Sequence, residues 1–519
     1  MKADIIIAGG GLGGVASALA ALRNNLKVIM TEETDWIGGQ LTSQGVPPDE
    51  HKWIETHGAP VTYRKFREAV RNHYKQHYPL TENAKTRPNL NPGDGAVSRL
   101  CHEPRIAWNV LIDMLSPYLS NGQLILLTKH KITKATHQNN QITSLLAECT
   151  ETNKSTLLEG DYFVDATETG ELLPLTNTAY VTGTESKTET GELHAPEKGD
   201  PKNNQSFTVC FAVDYVPGED HTIEKPESYE FWSTHIPKLS PAWPGKLLSL
   251  TYTYPSTLEP KTLGFHPEGN PTGDVLNLWN YRKIINRSNF TPGVYKGDIT
   301  VINWPQNDYM LGNIIDVSEK EFKKHVHQAK QLSLSLLYWL QTEVPRPDGG
   351  KGWPGIRLRK DVMGTEDGLA KYPYIRESRR IKALFTIKEE HVGQVQSSNN
   401  PAPKCNGGAV AFHDSVGVGY YPIDLHPTCN GYNYIDFPSV PFQIPLGALI
   451  PIETINLLPA NKNIGTTHIT NGCYRLHPVE WSIGEAVGCL VAYAKKIQKT
   501  PKEIRTNEVD LKAFQDFIQ

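Results

Sequence analysis

The sequence predicts an α/β protein, a Rossmann-type nucleotide-binding domain joined to a mixed α+β substrate lobe, and three observations predict it. A buried-strand pattern at Asp4–Ala8 runs straight into Gly9-Gly10-Gly11-Leu12-Gly13-Gly14. A helical apolar period follows from Val15. A second strand pattern, Lys27–Thr31, then ends on the acid Glu32.

The first strand is a short apolar run closed by glycine, as expected of a parallel strand covered on both faces. The spacing Gly9-x-Gly11-x-x-Gly14 has a chemical reason. The chain must turn tightly, let a pyrophosphate reach bare backbone, and pack the next helix close to the strand. Leu12 and Gly13 complete that loop, and the diphosphate is expected at the positive end of the helix. Ala16, Leu19, Ala20 and Leu22 give the helix its buried face before Arg23-Asn24-Asn25 breaks it. Glu32 stands at roughly the 20-residue offset of a ribose-binding acid, with Glu33 beside it. A carboxylate there accepts from ribose hydroxyls and repels a 2′-phosphate, which favours FAD or NAD over NADP.

The next stretch, Glu32 to Thr42, carries a second glycine pair, Gly38-Gly39-Gln40-Leu41. Here the chain resembles the glutathione-reductase-like FAD superfamily, in which such a pair runs beside the flavin diphosphate. The resemblance continues in order. Leu124–Leu127 and Lys131-Ile132 are similar to the third parallel strand and the backbone that meets adenine. Gln141–Glu148 is similar to a meander strand, and Asp161–Gly170, with Ala166, Thr167 and Gly170, to the segment that closes the FAD sheet. Ile302–Tyr309, Tyr374–Ile381 and Asp414–Tyr421 resemble the FAD-dependent oxidoreductases of the FAD_oxidored type, so the likeness spans residues 1 to about 495. It implies FAD as cofactor and leaves the substrate open.

Asn456–Ala460, Ile464–His468 and Asn471–Pro478 read as the C-terminal return to the flavin. After Pro478 a helix is predicted from Ile483, Ala486, Val487, Leu490 and Val491. In the superfamily this helix aims its N-terminus at the flavin pyrimidine edge, which implies close backbone approach at Gly484 and a cofactor contact at Glu485. Residues 1–45 and 121–174 are thus expected to form the FAD domain, 46–120 a helical insertion, 175–440 the substrate lobe, 441–500 the return, and 501–519 a tail. Within the lobe, Ser318 and Glu321 form a capping box for a helix reaching about Gln341. No second glycine fingerprint follows a strand after residue 170, so no dedicated NAD(P)H domain is expected.

The flavin carries the electrons, and the protein supplies position and proton acceptors. His468, Asn471, Arg475 and His477, just before the flavin-facing helix, are the catalytic candidates, against the alternative that they merely cap the loop. Arg376 and Arg379 are candidate substrate anchors, against the alternative of structural ion pairs; Tyr420, Tyr421, Asp424 and His426 are a further polar-aromatic group expected at the pocket. Ser98–Arg105 places Cys101 and His102 as alternatives for a covalent flavin tether.

The formal net charge of −4 gives no basic field for nucleic acid or an anionic membrane. No apolar run approaches the ~20 residues of a membrane helix. The strand begins so near the first residue that no leader is expected, and the location expected is cytoplasmic. Seven scattered cysteines without a Cys-x-x-Cys pair read as reduced thiols, with no metal site. The expected function is two-electron oxidation of a small organic molecule by a dehydrogenase or oxidase. Its electron acceptor, oxygen or another, and its oligomeric state are left open. A monooxygenase or reductase using external NAD(P)H, and a non-catalytic redox sensor, stand as alternatives.

Overall fold

The computed structural model describes residues 1–271, 273–393 and 408–518; Cys405, one of the seven cysteines, lies outside them. A seven-stranded sheet organises the nucleotide-binding part. Strand β1 (Lys2–Ala8) leads into α1 (Leu12–Arg23) and returns as β2 (Val28–Glu32), parallel to β1 with Ile6 opposite Ile29. Before the next strand come α2 (Val61–His77) and α3 (Pro104–Ser120), the expected helical insertion. The sheet then resumes with β3 (Leu124–Thr128), β4 (His130–Gln138), β5 (Gln141–Cys149) and β6 (Ser155–Asp165).

Strand β6 serves two neighbours along its length. Ser155–Glu159 pairs antiparallel with β5, while Tyr162–Asp165 runs parallel to β1. Its far side near the C-terminal end takes a last parallel strand, β7 (Leu457–Pro459). The parallel strand ends at Ala8, Glu32 and Asp165 therefore open on one edge, where open α/β sheets bind ligands.

A second, four-stranded antiparallel sheet has the order Lys283–Ile285, Ile299–Ile302, Phe211–Tyr215, Ile356–Leu358. Strand alternation splits its side chains between two cores. Phe211, Val213 and Ile302 pack with Leu332, Leu336 and Leu340 of α4 (Glu319–Thr342), while Ala212, Ile299 and Val301 join the core of the nucleotide domain. Ser318 caps α4, accepting from the Glu321 amide, as its sequence pattern predicts.

The chain returns through α5 (His468–Tyr474) and α6 (His477–Ile497). Helices α1 and α6 touch backbone to backbone: a Cβ at Gly484 would lie 2.0 Å from the Gly13 carbonyl oxygen, and one at Gly488 2.3 Å from that of Ser17. The segment expected as a tail forms helices Pro501–Thr506 and Glu508–Phe517, held by Phe514 against Tyr493 and by Arg505 on Asp414. Val416, Ile423 and Leu425, placed by sequence in the substrate lobe, pack instead in the same core as the seven-stranded sheet's Ile5, Ile7 and Val28. No helix among the described residues is long and apolar enough to cross a membrane, and among them no group of side chains could hold a metal ion.

Candidate active site

A groove crosses the C-terminal edge of the sheet. Its wall is formed by Gly9, Gly11, Thr31, Glu32, Glu33, Gly39, His130, Lys131, Ile132, Ala166, Thr167, Glu168 and Tyr372. Gly9 has φ of +92°, and a Cβ there would stand 2.3 Å from the Ala166 carbonyl oxygen, so only glycine fits this turn. Gly14 lets α1 close on the turn, since its Cβ would lie 2.4 Å from the Gly9 carbonyl oxygen. The Gly13 amide donates to Asn461 Oδ1 at 3.1 Å, and Gly38 donates to the Gly10 carbonyl at 2.7 Å. Both glycine turns are therefore one hydrogen-bonded unit at the positive end of α1.

Glu32 accepts from the Gly10 amide at 3.0 Å and from the Thr34 amide and hydroxyl at 2.8 and 2.7 Å. Burial pushes its carboxyl up to about 7, against the opposing effect of the Thr34 hydrogen bonds. A deeper cluster lies behind the groove: Lys462 Nζ is 2.6 Å from Glu168 and 3.3 Å from Glu480. Burial raises Glu480 to about 7, although Lys462 draws it down.

Beyond the second turn lies a cavity of ≈ 360 Å³. Chain connections join it to the groove. Tyr372 lines the groove and Tyr374, two residues on, the cavity. Gln40 Nε2 donates to the Arg475 carbonyl at 2.9 Å, while the Arg475 side chain reaches the cavity wall. Tyr252, Tyr254, Tyr281, Trp304, Tyr421 and Tyr434 give the cavity aromatic walls. Three guanidinium groups line it, each with a carboxylate: Arg282 with Asp49 at 3.2 Å, Arg376 with Asp308 at 2.9 Å, and Arg475 with Asp424 at 3.3 Å. The insertion fixes the Asp49 loop, because buried Arg67 on α2 binds Glu50 at 2.8 Å and Glu55 at 2.8 Å.

One histidine lines this cavity. His426 Nδ1 is 2.6 Å from Asp308 Oδ2. Burial works against the Asp308 charge, yet Arg376 and His426 hold the carboxyl below its ordinary range. An ionised carboxylate only accepts, so Nδ1 carries the hydrogen toward Asp308. Nε2 is turned toward a second acid, 3.8 Å from Asp424 Oδ2, so the arrangement is a cavity histidine oriented by a buried carboxylate on one side and facing another on the other.

Among the residues picked from sequence as catalytic, the structure brings only Arg475 to the cavity wall. His468 is buried and its Nδ1 lies 2.8 Å from Glu377, Asn471 donates to the Arg376 carbonyl at 2.9 Å, and His477 accepts from the Asp49 amide at 3.0 Å. All three side chains are buried and taken up by these partners, and none lines the cavity. Arg376 and His426 reach the cavity as expected of pocket residues. Arg379 does not: it pairs with Asp316 at 2.8 Å and donates to the Thr169 carbonyl. Of the expected polar-aromatic group, Tyr421 and Asp424 also line the cavity, whereas Tyr420 does not and lies tilted against Trp53, ring centroids 5.0 Å apart.

Of the residues picked for the cofactor, Gly9, Gly11, Glu32, Glu33, Gly39, Ile132, Ala166 and Thr167 line the groove. Leu12, Gly13 and Gly14 open α1, Gln40 ties the second turn to Arg475, and Leu41 is core. Gly170, at φ of +68°, sits against Arg379. Gly484 and Glu485 are elsewhere. The first packs on α1, and the second accepts from the Thr62 hydroxyl, because their side of α6 faces α1 and α2. Cys101 is buried, which raises its thiol to about 12, and it lines neither groove nor cavity. Sequence reasoning missed Asp49, Arg282, Asp308, Asn461 and Lys462; the last four lie far from the glycine motifs in sequence, and Asp49, ten residues past Gly39, shows no role until Arg282 is known to lie beside it.

A family model described as FAD dependent oxidoreductase matches residues 4–516. No curated protein matches the chain. Among solved structures, p-nitrophenol 4-monooxygenase PnpA from Pseudomonas putida DLL-E4 is 9% identical, with 100% of this chain and 87% of that chain covered at a TM-score of 0.37. The flavin-dependent monooxygenase PieE, in complex with FAD and substrate, is 9% identical, covering 74% of this chain and 52% of its own at a TM-score of 0.30. The glycerol-3-phosphate dehydrogenase from Bacillus halodurans, complexed with FAD, is 13% identical over 41% of this chain at a TM-score of 0.25. This chain spans 40% of that dehydrogenase's length.

Proposed function

The chain belongs to the FAD-dependent oxidoreductase family, and from that premise we propose that it is a dehydrogenase or oxidase that takes two electrons from a small organic molecule held in the cavity, with His426 as the proton acceptor. The observation that carries this reading is the His426–Asp308 pair on the cavity wall, 2.6 Å apart.

The residues present fit FAD. The cradle at Gly9 and Gly11 is one that a Cβ would fill, since at Gly11 it would stand 2.5 Å from Asn461. Around the second turn and the start of α6, buried polar atoms lack protein partners: Gln40 Oε1, both ends of the Gln44 amide and Arg475 Nε. Such groups are costly unless a ligand or water satisfies them. Gly9, Gly11, Gly13 and the start of α1 would hold the diphosphate, Glu32 the ribose, Lys131 and Ile132 the adenine, and Gly39 and Gln40 the flavin side. The meander β4–β5 grafted on β6 supports the glutathione-reductase-like subtype of this fold.

Bound FAD supplies the two-electron acceptor for the substrate carbon. The protein does the rest. Asp308 keeps Nδ1 of His426 hydrogen-bonded, so Nε2 takes the proton released from the substrate O–H or N–H. Arg475, held by Tyr374 at 3.0 Å and by Asp424, fixes a positive charge where the second turn meets the cavity. Such placed charge counts for more because it is buried away from water. The absence of a second glycine fingerprint supports the substrate as the source of electrons.

Anaerobic addition of candidate donors to the FAD-loaded protein tests this reading through the flavin band near ~450 nm. Bleaching by an organic donor, slowed in His426→Gln, is the expected result. Bleaching by NAD(P)H alone would turn the reading over to a monooxygenase or reductase.

A further inference from the structure

The charge balance of the cavity identifies the class of molecule it takes. Arg282, Arg376 and Arg475 each have an aspartate within 3.3 Å or less. None of these three guanidinium groups is without a carboxylate, which leaves Lys261 as the one wall cation not paired with an acid among the described residues. Lys261 stands at the wall with its ammonium 3.9 Å over the Tyr254 ring. Asp436 is the remaining acid, raised to about 6 by burial and by Asp424 opposite it on the paired strand.

The walls carry buried polar atoms without a protein partner. They are Trp304 Nε1, Asn303 Nδ2, the Tyr434 hydroxyl, and the Nε atoms of Arg376 and Arg475. Trp304 is 3% exposed, and Asn303 and Tyr434 are each 4% exposed. These are mostly donors, Asp424 and Asp436 add acceptors, and tyrosine and tryptophan rings stand between them. A ligand matching this set is uncharged, rich in hydroxyls that both donate and accept, and has apolar C–H faces to lie on aromatic rings. The cavity, at ≈ 360 Å³, falls in the range of roughly 300–1,000 Å³ that small-molecule sites occupy.

We propose that the substrate is a neutral carbohydrate, a free sugar or a glycoside, oxidised at one carbinol carbon. This rests on the oxidoreductase reading above and deepens it. The carbinol C–H and O–H bonds break and a C=O bond forms. The two electrons leave with the carbon-bound hydrogen to FAD, and the hydroxyl proton goes to His426 Nε2.

The test uses the full-length, FAD-loaded protein without oxygen. Neutral aldoses and their methyl glycosides are compared with the matching uronic acids and amino sugars, and with simple amines, amino acids and hydroxy acids. The expected result is bleaching of the flavin by neutral sugars at least roughly 10-fold faster than by their charged analogues, because a site built for hydroxyls rejects what leaves its polar groups unpaired. If methyl glycosides bleach as well as free sugars, the glycoside is the source; if only free sugars do, the reducing end is the oxidised carbon. Faster bleaching by uronates, amines or amino acids overturns the carbohydrate proposal and leaves the oxidoreductase reading standing. Bleaching by NAD(P)H alone overturns both. A binding measurement is independent of turnover: a saturating neutral sugar is expected to raise the Tm of FAD-loaded His426→Gln by roughly 1–3 °C. Trp304→Phe, which keeps the ring and loses the donor, is expected to reduce that shift. No shift with any neutral sugar counts against the proposal.

Discussion

Gln40 Nε2 donates to the carbonyl oxygen of Arg475 at 2.9 Å, a bond between residues 435 positions apart. It ties the second glycine turn to the start of α6, and so the nucleotide groove to the cavity. Gln40→Leu leaves that buried carbonyl unpaired, at a cost of about 1–3 kcal/mol. Urea unfolding is expected to show the loss, together with faster FAD release on dilution. Unchanged FAD retention would mean that the two halves are aligned by other contacts.

His426→Gln is expected to slow flavin reduction by roughly 10²–10⁴-fold while FAD remains bound, which is the ordinary contribution of a positioned base. Asp308→Asn differs, because Asp308 also neutralises Arg376 at 2.9 Å. Removing one partner of a buried pair costs about 3–5 kcal/mol, so this variant loses stability as well as rate. Stopped-flow reduction and chemical denaturation on both variants separate the two effects.

Gly484→Ala sets a methyl group 2.0 Å from the Gly13 carbonyl oxygen. Helix α6 must then move off α1, at a cost of about 1–3 kcal/mol or more. Since Gly13 belongs to the phosphate loop, FAD affinity is expected to fall with Tm. A variant that loses Tm but binds FAD normally would show that the loop tolerates the shift.

His477 gives a pH dependence of definite sign. Burial holds its folded pKa down to about 3, and its Nδ1 accepts from the Asp49 amide. The unfolded ring titrates near ~6.5, so between these values the unfolded chain binds more protons and stability falls as pH falls, by about 1.4 kcal/mol per pH unit. Glu480, raised to about 7, acts oppositely: its contribution is present below its unfolded value of 4.5 and is lost as pH rises through 7. Comparing wild type with His477→Gln by denaturation at pH 5.5 and 7.5 isolates the histidine. The variant is expected to lose less stability on acidification, and equal losses would contradict a buried neutral ring.

Glu32→Ala removes the acceptor for Gly10 and Thr34 as well as the proposed ribose contact. FAD is expected to dissociate about 10–100-fold more readily, the effect of losing a charged hydrogen-bond partner. Equilibrium dialysis against FAD reads this directly, and wild-type affinity in Glu32→Ala would remove that residue from the cofactor site.

What the sequence made legible follows from how local each signal is. The strand, Gly9–Gly14 turn, α1 and Glu32 lie within one short segment, and turn chemistry and periodicity specify them almost without the rest of the chain. Ser318 capping α4 is equally local. The cavity is not. Asp49, Arg282, Asp308, Arg376, His426 and Arg475 meet only after the insertion, the lobe sheet and the return segment have packed together. Proximity to α6 in sequence pointed to His468, Asn471 and His477, but these side chains are engaged by Glu377, the Arg376 carbonyl and the Asp49 amide, residues distant in sequence. Residues 501–519 were assigned to no domain for a similar reason, because Phe514 has no visible partner until Tyr493 is known to lie beside it.

The most direct test of the account is a structure of the protein with FAD bound. The adenosine end is expected in the groove with its ribose on Glu32, and the reactive ring edge at the cavity, facing His426. A flavin whose reactive edge is turned away from His426, or whose adenosine lies outside the groove, would contradict it.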